Sequence, residues 1–147
     1  MYKIHSKIRK MIEPKKSLGQ NFLIDKNIIG KIMNLTKVKD RNIVEIGPGK
    51  GALTDEIIKK KPKTLLIIEK DNLLIDLLIE KYSKFRNVKV VNGDILKFDL
   101  EKNMKSNSVI FGNLPYNISS QILVKFIKFK TWPPKFSNLI LMFQKEL

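Results

Sequence analysis

The sequence contains no cysteine and only one histidine, His5. Without cysteine there can be neither a disulfide framework nor a thiolate metal site. A single histidine also argues against a histidine-based metal site and against a serine–histidine–aspartate triad. We therefore expect no metal, and we expect any reaction of this chain to depend on the reactivity of a cofactor.

Long apolar runs are also missing. The longest, residues 73–79, is interrupted by Asp76 and is too short to span a bilayer, so no transmembrane helix is predicted. The hydrophobic share of 43% is that of a globular protein, and 147 residues suffice for one domain with a buried core. We expect a cytoplasmic protein with no membrane partner.

Acidic residues are scarce: the sequence has 14 aspartates and glutamates against 29 lysines and arginines, which gives a net charge of +15. Such a charge favours a polyanionic partner, with nucleic acid ahead of an acidic membrane surface. Residues 1–16 form a basic arm in which only Glu13 offsets Lys3, His5, Lys7, Arg9, Lys10, Lys15 and Lys16. We interpret this arm as a mobile RNA-contacting segment; a general lysine bias that only solvates the surface, or a transit peptide, are the alternatives.

Short β-branched runs alternate with helical patterns along the remainder of the chain. Strands are predicted at 43–46, 64–68, 88–91, 108–111 and 138–143. A helix capped by Asp25 is predicted with apolar positions Ile28, Ile29, Ile32, Met33 and Leu35; further helices run through Leu53, Ile57 and Ile58, over 72–82, and along a face with Ile118, Ile122, Leu123, Phe126 and Ile127. Residues 97–107 are predicted to be a polar connection. This alternation predicts an α/β fold, a mostly parallel sheet with helices on both faces.

Polar residues recur where the predicted strands end. They are Gly47 and Gly49, Glu69, Asp94, and Asn113 to Tyr116. Ligands of parallel sheets gather at the carboxyl ends of the strands, and an acid about 20 residues after a glycine loop is typical of ribose binding. Two acids favour a cationic ligand over a dinucleotide pyrophosphate. Taken singly, the glycines could form a tight turn, Glu69 could be a solvated strand end, and Asp94 could cap a turn.

The stretch from Gly112 to Ser120 is the predicted centre of the chemistry. In it Asn113 offers an amide oxygen, Pro115 makes the turn rigid and aims a carbonyl, and Tyr116 offers a stacking face. Together these groups suit the holding of a planar nitrogen base. The alternative is an ordinary turn after a strand.

Six motifs, in this order, closely resemble the ribosomal RNA adenine N6,N6-dimethyltransferases. They are S-L-G-Q-N-F-L at 17–23, E-I-G-P-G-K-G-A-L-T at 45–54, I-E-K-D at 68–71, G-D-I-L at 93–96, N-L-P-Y-N-I-S-S at 113–120 and M-F-Q-K-E at 142–146. Pro48 and Leu114 resemble the small-subunit enzyme more than its large-subunit, antibiotic-resistance relatives. The resemblance implies a Rossmann-like S-adenosylmethionine-dependent methyltransferase domain over residues 17–147, active in rRNA processing and ribosome biogenesis.

Roles for individual residues follow from the same resemblance. It implies that S-adenosylmethionine contacts Gln20, Asn21, Leu23, Gly47, Gly49, Glu69, Asp94, Ile95 and Asn113. The family's reaction transfers methyl groups to N6 of two adjacent, flipped adenines of ribosomal RNA in a pre-ribosomal small subunit. By the resemblance, Asn113 and the Pro115 carbonyl accept the amino hydrogens and Tyr116 stacks on the base.

Family members usually continue beyond the M-F-Q-K-E motif, through two more strands and a small helical domain. The C-terminal strands of the sheet are therefore expected to be missing here, which leaves residues 139–143 as an apolar open edge. The full-length protein is expected to be a monomer. Two other functions stay open: a large-subunit rRNA dimethyltransferase, and a non-catalytic RNA-binding ribosome-assembly protein.

Overall fold

The computed structural model describes residues 25–115 and 117–143. Within them the elements follow one another as α1 (Lys26–Met33), β1 (Asn42–Ile46), α2 (Ala52–Lys59), β2 (Thr64–Glu69), α3 (Asn72–Tyr82), β3 (Val88–Asn92), α4 (Leu100–Asn103), β4 (Ser108–Leu114), α5 (Ser119–Ile127) and β5 (Phe136–Phe143). The basic arm, Gln20, Asn21, Leu23 and Tyr116 lie outside the described residues.

The strands form one parallel sheet in the order β3-β2-β1-β4-β5. Ile46, the last residue of β1, pairs with Ile68 of β2 on one side and with Gly112 of β4 on the other. Glu69 pairs with Asn92 of β3. The chain segments that follow these residues therefore leave the sheet along one edge, as the sequence predicts.

Helices cover both faces of the sheet because side chains alternate along each strand. On one face, strand residues pack with the buried sides of α1, α2 and α3; this core includes Ile43, Leu65, Ile67, Val109, Phe111, Ile57 and Leu78. On the other face the partners are α4 and α5, and the core includes Val44, Ile46, Ile68, Ile110, Leu100, Ile122 and Phe126. The predicted α/β fold with helices on both faces is confirmed.

Helix α1 begins where the sequence predicts and ends sooner. The Asp25 carboxylate accepts hydrogen bonds from the N–H groups of Asn27 (2.8 Å) and Ile28 (3.2 Å), which satisfies two donors of the first turn. The helix ends at Met33, so Leu35 falls outside it and is 65% exposed. The predicted apolar face was thus too wide. Ile28 is exposed too, and only Ile29, Ile32 and Met33 of the predicted positions are buried in the core.

Most strand bounds differ from the prediction by one or two residues, and two differences are larger. The polar connection contains α4, which Asp99 caps by accepting from the N–H of Lys102 (3.1 Å) and which buries Leu100. Strand β4 continues through Asn113 to Leu114, because parallel pairing with β5 extends to Leu114 opposite Phe143. Asn113 therefore lies in a strand and not in a turn.

Helix α5 turns a narrower face to the sheet than predicted. Ile122 and Phe126 are buried, whereas Leu123 and Ile127 are exposed, the latter to 69%. Ile118 is the N-cap residue of the helix and does not belong to its face. The chain then buries Phe129 against Phe126 and Phe136 through edge-to-face ring contacts, and these fix the end of α5 against the start of β5.

Strand β5 is an outer strand of the described sheet, with β4 as its partner there. Residues 139–142 are half-buried apolar side chains and Phe143 is 47% exposed. An apolar edge without charge favours pairing with another chain.

We expect the 147-residue chain, expressed alone, to self-associate at moderate salt, where charge repulsion is screened beyond about 8–10 Å. Sedimentation checks this; a monodisperse monomer with hydrogen-exchange protection over 139–143 contradicts it.

None of the helices in the described part of the chain has the length and apolar character needed to cross a membrane.

Candidate active site

The glycine loop after β1 lies directly beside the end of β4. The Gly47 N–H donates to the Ile68 carbonyl (3.0 Å), which ties the loop to β2. Gly47, Gly49 and Gly51 all have positive φ (67°, 59° and 94°), a conformation that glycine adopts at little cost. A Cβ on Gly47 would lie 3.0 Å from the Asn113 carbonyl oxygen, so only glycine lets the loop approach this strand so closely.

Glu69 is buried at the end of β2, with 7% of its surface exposed. Its Oε1 accepts from the backbone N–H groups of Lys70 and Asp71, both at 2.8 Å, and the backbone of Gly49 adds a third hydrogen bond. Burial raises the pKa of Glu69 above its ordinary value, and the three backbone bonds oppose that rise. A carboxylate has about four acceptor positions, so this one retains capacity for a hydroxyl donor.

Asp94 lies in the neighbouring turn and is linked to Glu69 through the backbone, since the Gly93 N–H donates to the Glu69 carbonyl (2.8 Å). Asp94 Oδ1 accepts from the Leu96 N–H (3.0 Å), and Oδ2 pairs with Lys70 Nζ (3.2 Å). Partial burial raises the pKa of Asp94, but the bonds from Leu96 and Lys70 lower it further, so its pKa is below the ordinary value. The next residue, Ile95, is buried.

Asn113 is half-buried near the end of β4, and Pro115 follows immediately after that strand. The Pro115 carbonyl accepts from the Ile118 N–H (3.2 Å) in the turn that leads into α5. A carbonyl oxygen has two lone pairs, so one acceptor position is left for a ligand. The structure thus brings together Gly47, Gly49, Glu69, Asp94, Ile95, Asn113 and Pro115 along one edge of the sheet.

Sequence analysis missed a clamp that α3 places on the glycine loop. Tyr82 Oη lies 3.1 Å from the Gly51 carbonyl and 2.8 Å from Asp55 Oδ1, and Lys81 Nζ donates to the Lys50 carbonyl (3.1 Å) and to Asp55 Oδ2 (2.9 Å). Burial and the nearby Asp55 raise the pKa of Tyr82, so its hydroxyl stays protonated. Because the clamp joins residues about 30 positions apart, no local pattern predicts it.

Glu45 is a second buried carboxyl that sequence analysis did not place in the site. It points from β1 toward α2, where the Thr54 hydroxyl donates to its Oε2 (2.6 Å). Burial raises the pKa of Glu45 from 4.5 to about 8, against the lowering effect of the Thr54 bond, with Asp55 and Glu69 adding repulsion. Near neutral pH this carboxyl is therefore largely protonated.

The raised pKa of Glu45 predicts a pH dependence of stability. A carboxyl whose pKa is higher in the folded state contributes stability that is full below about pH 4.5 and is lost as the pH rises through about 8. In Glu45→Gln that loss is removed. We expect the melting temperature of the parent to fall relative to the variant, by at least a few degrees, between pH 5 and pH 9.

Thermal denaturation over this pH range checks the expectation. Glu56→Gln is the matched control, since Glu56 lies on the same helix as Thr54, is only half-buried, and pairs with Lys59 at the helix surface. Glu69 also has a raised pKa, so the difference between parent and variant is what isolates Glu45. Parallel pH curves for the parent and Glu45→Gln would show that Glu45 does not titrate in this range.

A sequence model described as ribosomal RNA adenine dimethylase matches residues 11–147. The chain belongs to this family. The ribosomal RNA small subunit methyltransferase A of Pelagibacter ubique is 47% identical to the chain over 136 residues, which are 92% of this chain and 51% of that protein.

Solved structures agree with the family assignment. A dimethyladenosine transferase from Plasmodium falciparum has a TM-score of 0.71 and 33% identity, over 85% of this chain and 44% of that one. The 23S rRNA methyltransferase ErmE has a TM-score of 0.68 and 27% identity, and the match covers 82% of this chain and 48% of that one. The domain has the fold of S-adenosylmethionine-dependent methyltransferases. The chain spans about half the length of the relatives it matches.

The residues of the site fit S-adenosylmethionine. The glycine loop allows close backbone approach, and Glu69 and Asp94 are two acids at neighbouring strand ends, a charge that suits a cationic ligand. Among the described residues, no group of three histidine, cysteine, aspartate or glutamate side chains is arranged to hold a metal ion.

Proposed function

We propose that this chain forms the methyl-transferring part of a ribosomal RNA adenine N6,N6-dimethyltransferase that acts on small-subunit ribosomal RNA, with S-adenosylmethionine as methyl donor. One observation supports it most: four strand ends bring a glycine loop, two acids and the Asn113 to Pro115 segment to one edge of the sheet, and we propose that these groups line one cleft. The family to which the chain belongs gives this cleft its chemistry.

The proposed binding roles follow from the position of each group. Glu69 accepts from ribose hydroxyls, Asp94 and Ile95 contact the adenine, and Gly47 and Gly49 let the backbone approach the methionine portion. Gln20, Asn21 and Leu23, together with the nearby amide of Asn113, are proposed to complete the binding site for the methionine portion.

The proposed catalytic roles concern the amino group of the target adenine. Its lone pair is delocalised into the ring, so it is a poor nucleophile until the amino hydrogens are drawn out of the ring plane. The Asn113 side-chain oxygen and the Pro115 carbonyl accept these hydrogens, and Tyr116 stacks on the flipped base. The cofactor supplies an electrophilic methyl group; the protein supplies position and acceptors.

The proposed partner is ribosomal RNA within an immature small subunit, in the cytoplasm, and the full-length protein is proposed to be a monomer that needs no metal. The net charge of +15 supports RNA binding through phosphate contacts. A non-catalytic RNA-binding role in ribosome assembly would use the same charge but would not need Glu69 or Asn113.

The deciding experiment incubates the protein and labelled S-adenosylmethionine with immature small subunits, then digests the RNA and identifies the labelled nucleoside. N6,N6-dimethyladenosine is the expected product. RNA binding without transfer, from a protein that does bind S-adenosylmethionine, would favour the non-catalytic role; label in large-subunit RNA alone would favour the antibiotic-resistance relatives.

Glu69→Ala is expected to weaken S-adenosylmethionine binding by roughly 1.5–3 kcal/mol, the usual cost of losing a hydrogen bond to a charged group. RNA affinity should change little. Calorimetric titration checks the result, with Glu80→Ala as control because Glu80 is exposed on α3. Glu69→Gln keeps an acceptor for the N–H groups of Lys70 and Asp71. If this variant also loses affinity for S-adenosylmethionine, the loss does not come from a disturbed Lys70–Asp71 backbone alone. Unchanged affinity in a folded Glu69→Ala protein would remove Glu69 from the cofactor site.

A further inference from the structure

Lys125 makes an unusual pair of contacts for a lysine on a surface helix. It lies on α5, is half-buried, and its Nζ donates to the backbone carbonyls of Ile95 (2.5 Å) and Phe98. A lysine head group is strongly hydrated and normally stays in water, so its position against two main-chain oxygens calls for a structural explanation.

The two carbonyls belong to the turn that Asp94 opens. Within this turn the Lys97 and Phe98 N–H groups both donate to the Asp94 carbonyl (2.9 and 2.8 Å), and the Leu96 N–H donates to the Asp94 side chain. These N–H groups thus donate within the turn, and two of its carbonyls accept hydrogen bonds from Lys125. Asp94 and Asp99 are the acidic groups close enough to act on the ammonium charge.

The other end of α5 follows the Asn113 to Pro115 segment. The Ile118 N–H donates to the Pro115 carbonyl, and α5 starts at the next residue. Ile122 and Phe126 are fully buried against the sheet, so the helix cannot shift without disturbing the core. Lys125 lies between these two anchors in sequence and connects the helix sideways to the turn.

We propose that Lys125 is a positioning residue, which fixes the Asp94 turn to the helix that follows the Asn113 to Pro115 segment so that both sides of the cleft keep one relative position. This proposal rests on the proposed function, because it assumes that the Asp94 turn forms the adenine side of a cofactor pocket. Burial lowers the pKa of Lys125, and the two acidic neighbours oppose that shift.

The test compares Lys125→Met, Lys125→Arg and the control Lys128→Met. Methionine keeps an unbranched apolar side chain of nearly the same length and removes the charge and the donors, whereas arginine keeps both charge and donors. Lys128 lies at the exposed end of the same helix, so its replacement removes an equal charge at a site without contacts to the turn. Each variant is assayed for amide hydrogen exchange over 94–99 and for affinity toward S-adenosylhomocysteine.

Lys125→Met is expected to speed exchange over 94–99 and to weaken S-adenosylhomocysteine binding about tenfold, a typical size for coupling between two parts of a site. Lys125→Arg should recover most of both, and Lys128→Met should match the parent. A lysine that only stabilised the fold would lower the melting temperature and leave affinity and local exchange at parent values.

Two outcomes would overturn the proposal: Lys125→Met behaving like Lys128→Met in both assays, or equal losses in the methionine and arginine variants. Failure of the proposed cofactor site is distinguishable, because the parent itself would then not bind S-adenosylhomocysteine, and failure of methyl transfer alone leaves both assays unaffected. In that case the exchange rates over 94–99 alone decide whether Lys125 holds the turn.

Discussion

Replacing Asn113 with alanine is expected to slow a single round of methyl transfer by roughly 100-fold or more, the usual cost of losing one preorganised polar contact in a transition state. RNA affinity should stay within about twofold of the parent, because phosphate contacts elsewhere supply most of it. The distinction follows from the proposed role: Asn113 is half-buried beside the glycine loop, where the reacting base is proposed to bind, and it carries no charge with which to hold a phosphate.

Single-turnover methylation of immature small subunits, with saturating S-adenosylmethionine, measures this effect. Asn34→Ala is the matched control, because Asn34 is an exposed asparagine at the end of α1 and lies outside the stretch from Gly112 to Ser120. Asn113 makes contacts within the fold, so the melting temperature of each variant must be measured first. A folded Asn113→Ala protein that methylates as fast as the parent would exclude Asn113 from catalysis.

Gly51→Ala is expected to lower the free energy of unfolding by roughly 2–4 kcal/mol, from two sources that can be separated. The first is the backbone, since Gly51 has φ of 94° and an L side chain is strained there. The second is steric, because the new Cβ would lie 2.0 Å from Tyr82 Oη. Relief of that contact must move the α3 clamp or the glycine loop, so cofactor affinity should fall as well.

Urea denaturation of a double-mutant cycle with Tyr82→Phe separates the two sources. Tyr82→Phe removes the clashing hydroxyl, so Gly51→Ala should cost less in that background, and about 1–2 kcal/mol of backbone strain should persist. Gly30→Ala is the control, because Gly30 is an exposed position in α1 with nothing within 4 Å of a built Cβ. Gly30→Ala should raise the free energy of unfolding by roughly 0.5–1 kcal/mol. If Gly51→Ala cost the same in both backgrounds, Tyr82 would not be what confines the loop.

The strands, and the meeting of their polar ends along one edge of the sheet, could be predicted from the sequence because their signals are local. Short, mostly apolar runs mark β1 and β2, and a residue of another kind marks the end of each: Gly47 directly after β1, and Glu69 as the last residue of β2. Parallel strands end along one edge, so their trailing residues must meet. The Asp25 cap and the bounds of α3 were predictable for the same reason, since they depend on side chains within one helical turn.

Predictions about single faces and boundaries were less accurate where partners decide them. Leu35 and Ile127 are apolar and in helical register, yet both are exposed, because the described chain places no sheet surface opposite them. Strand β4 extends through Asn113 because β5 pairs with it, and that pairing joins residues about 30 positions apart.

The sequence by itself determined the parallel α/β architecture, the edge of the sheet at which the strand ends meet and the residue types at each strand end, since sterics and burial act on neighbours along the chain. Only the tertiary structure decided the charge state of Glu45, the clamp of Tyr82 and Lys81 on the glycine loop, and the contact of Lys125 with the Asp94 turn. Each of these depends on groups brought together from distant parts of the sequence. A pKa or a hydrogen bond reflects the folded environment of a side chain, and the order of residues does not specify that environment until the sheet has formed.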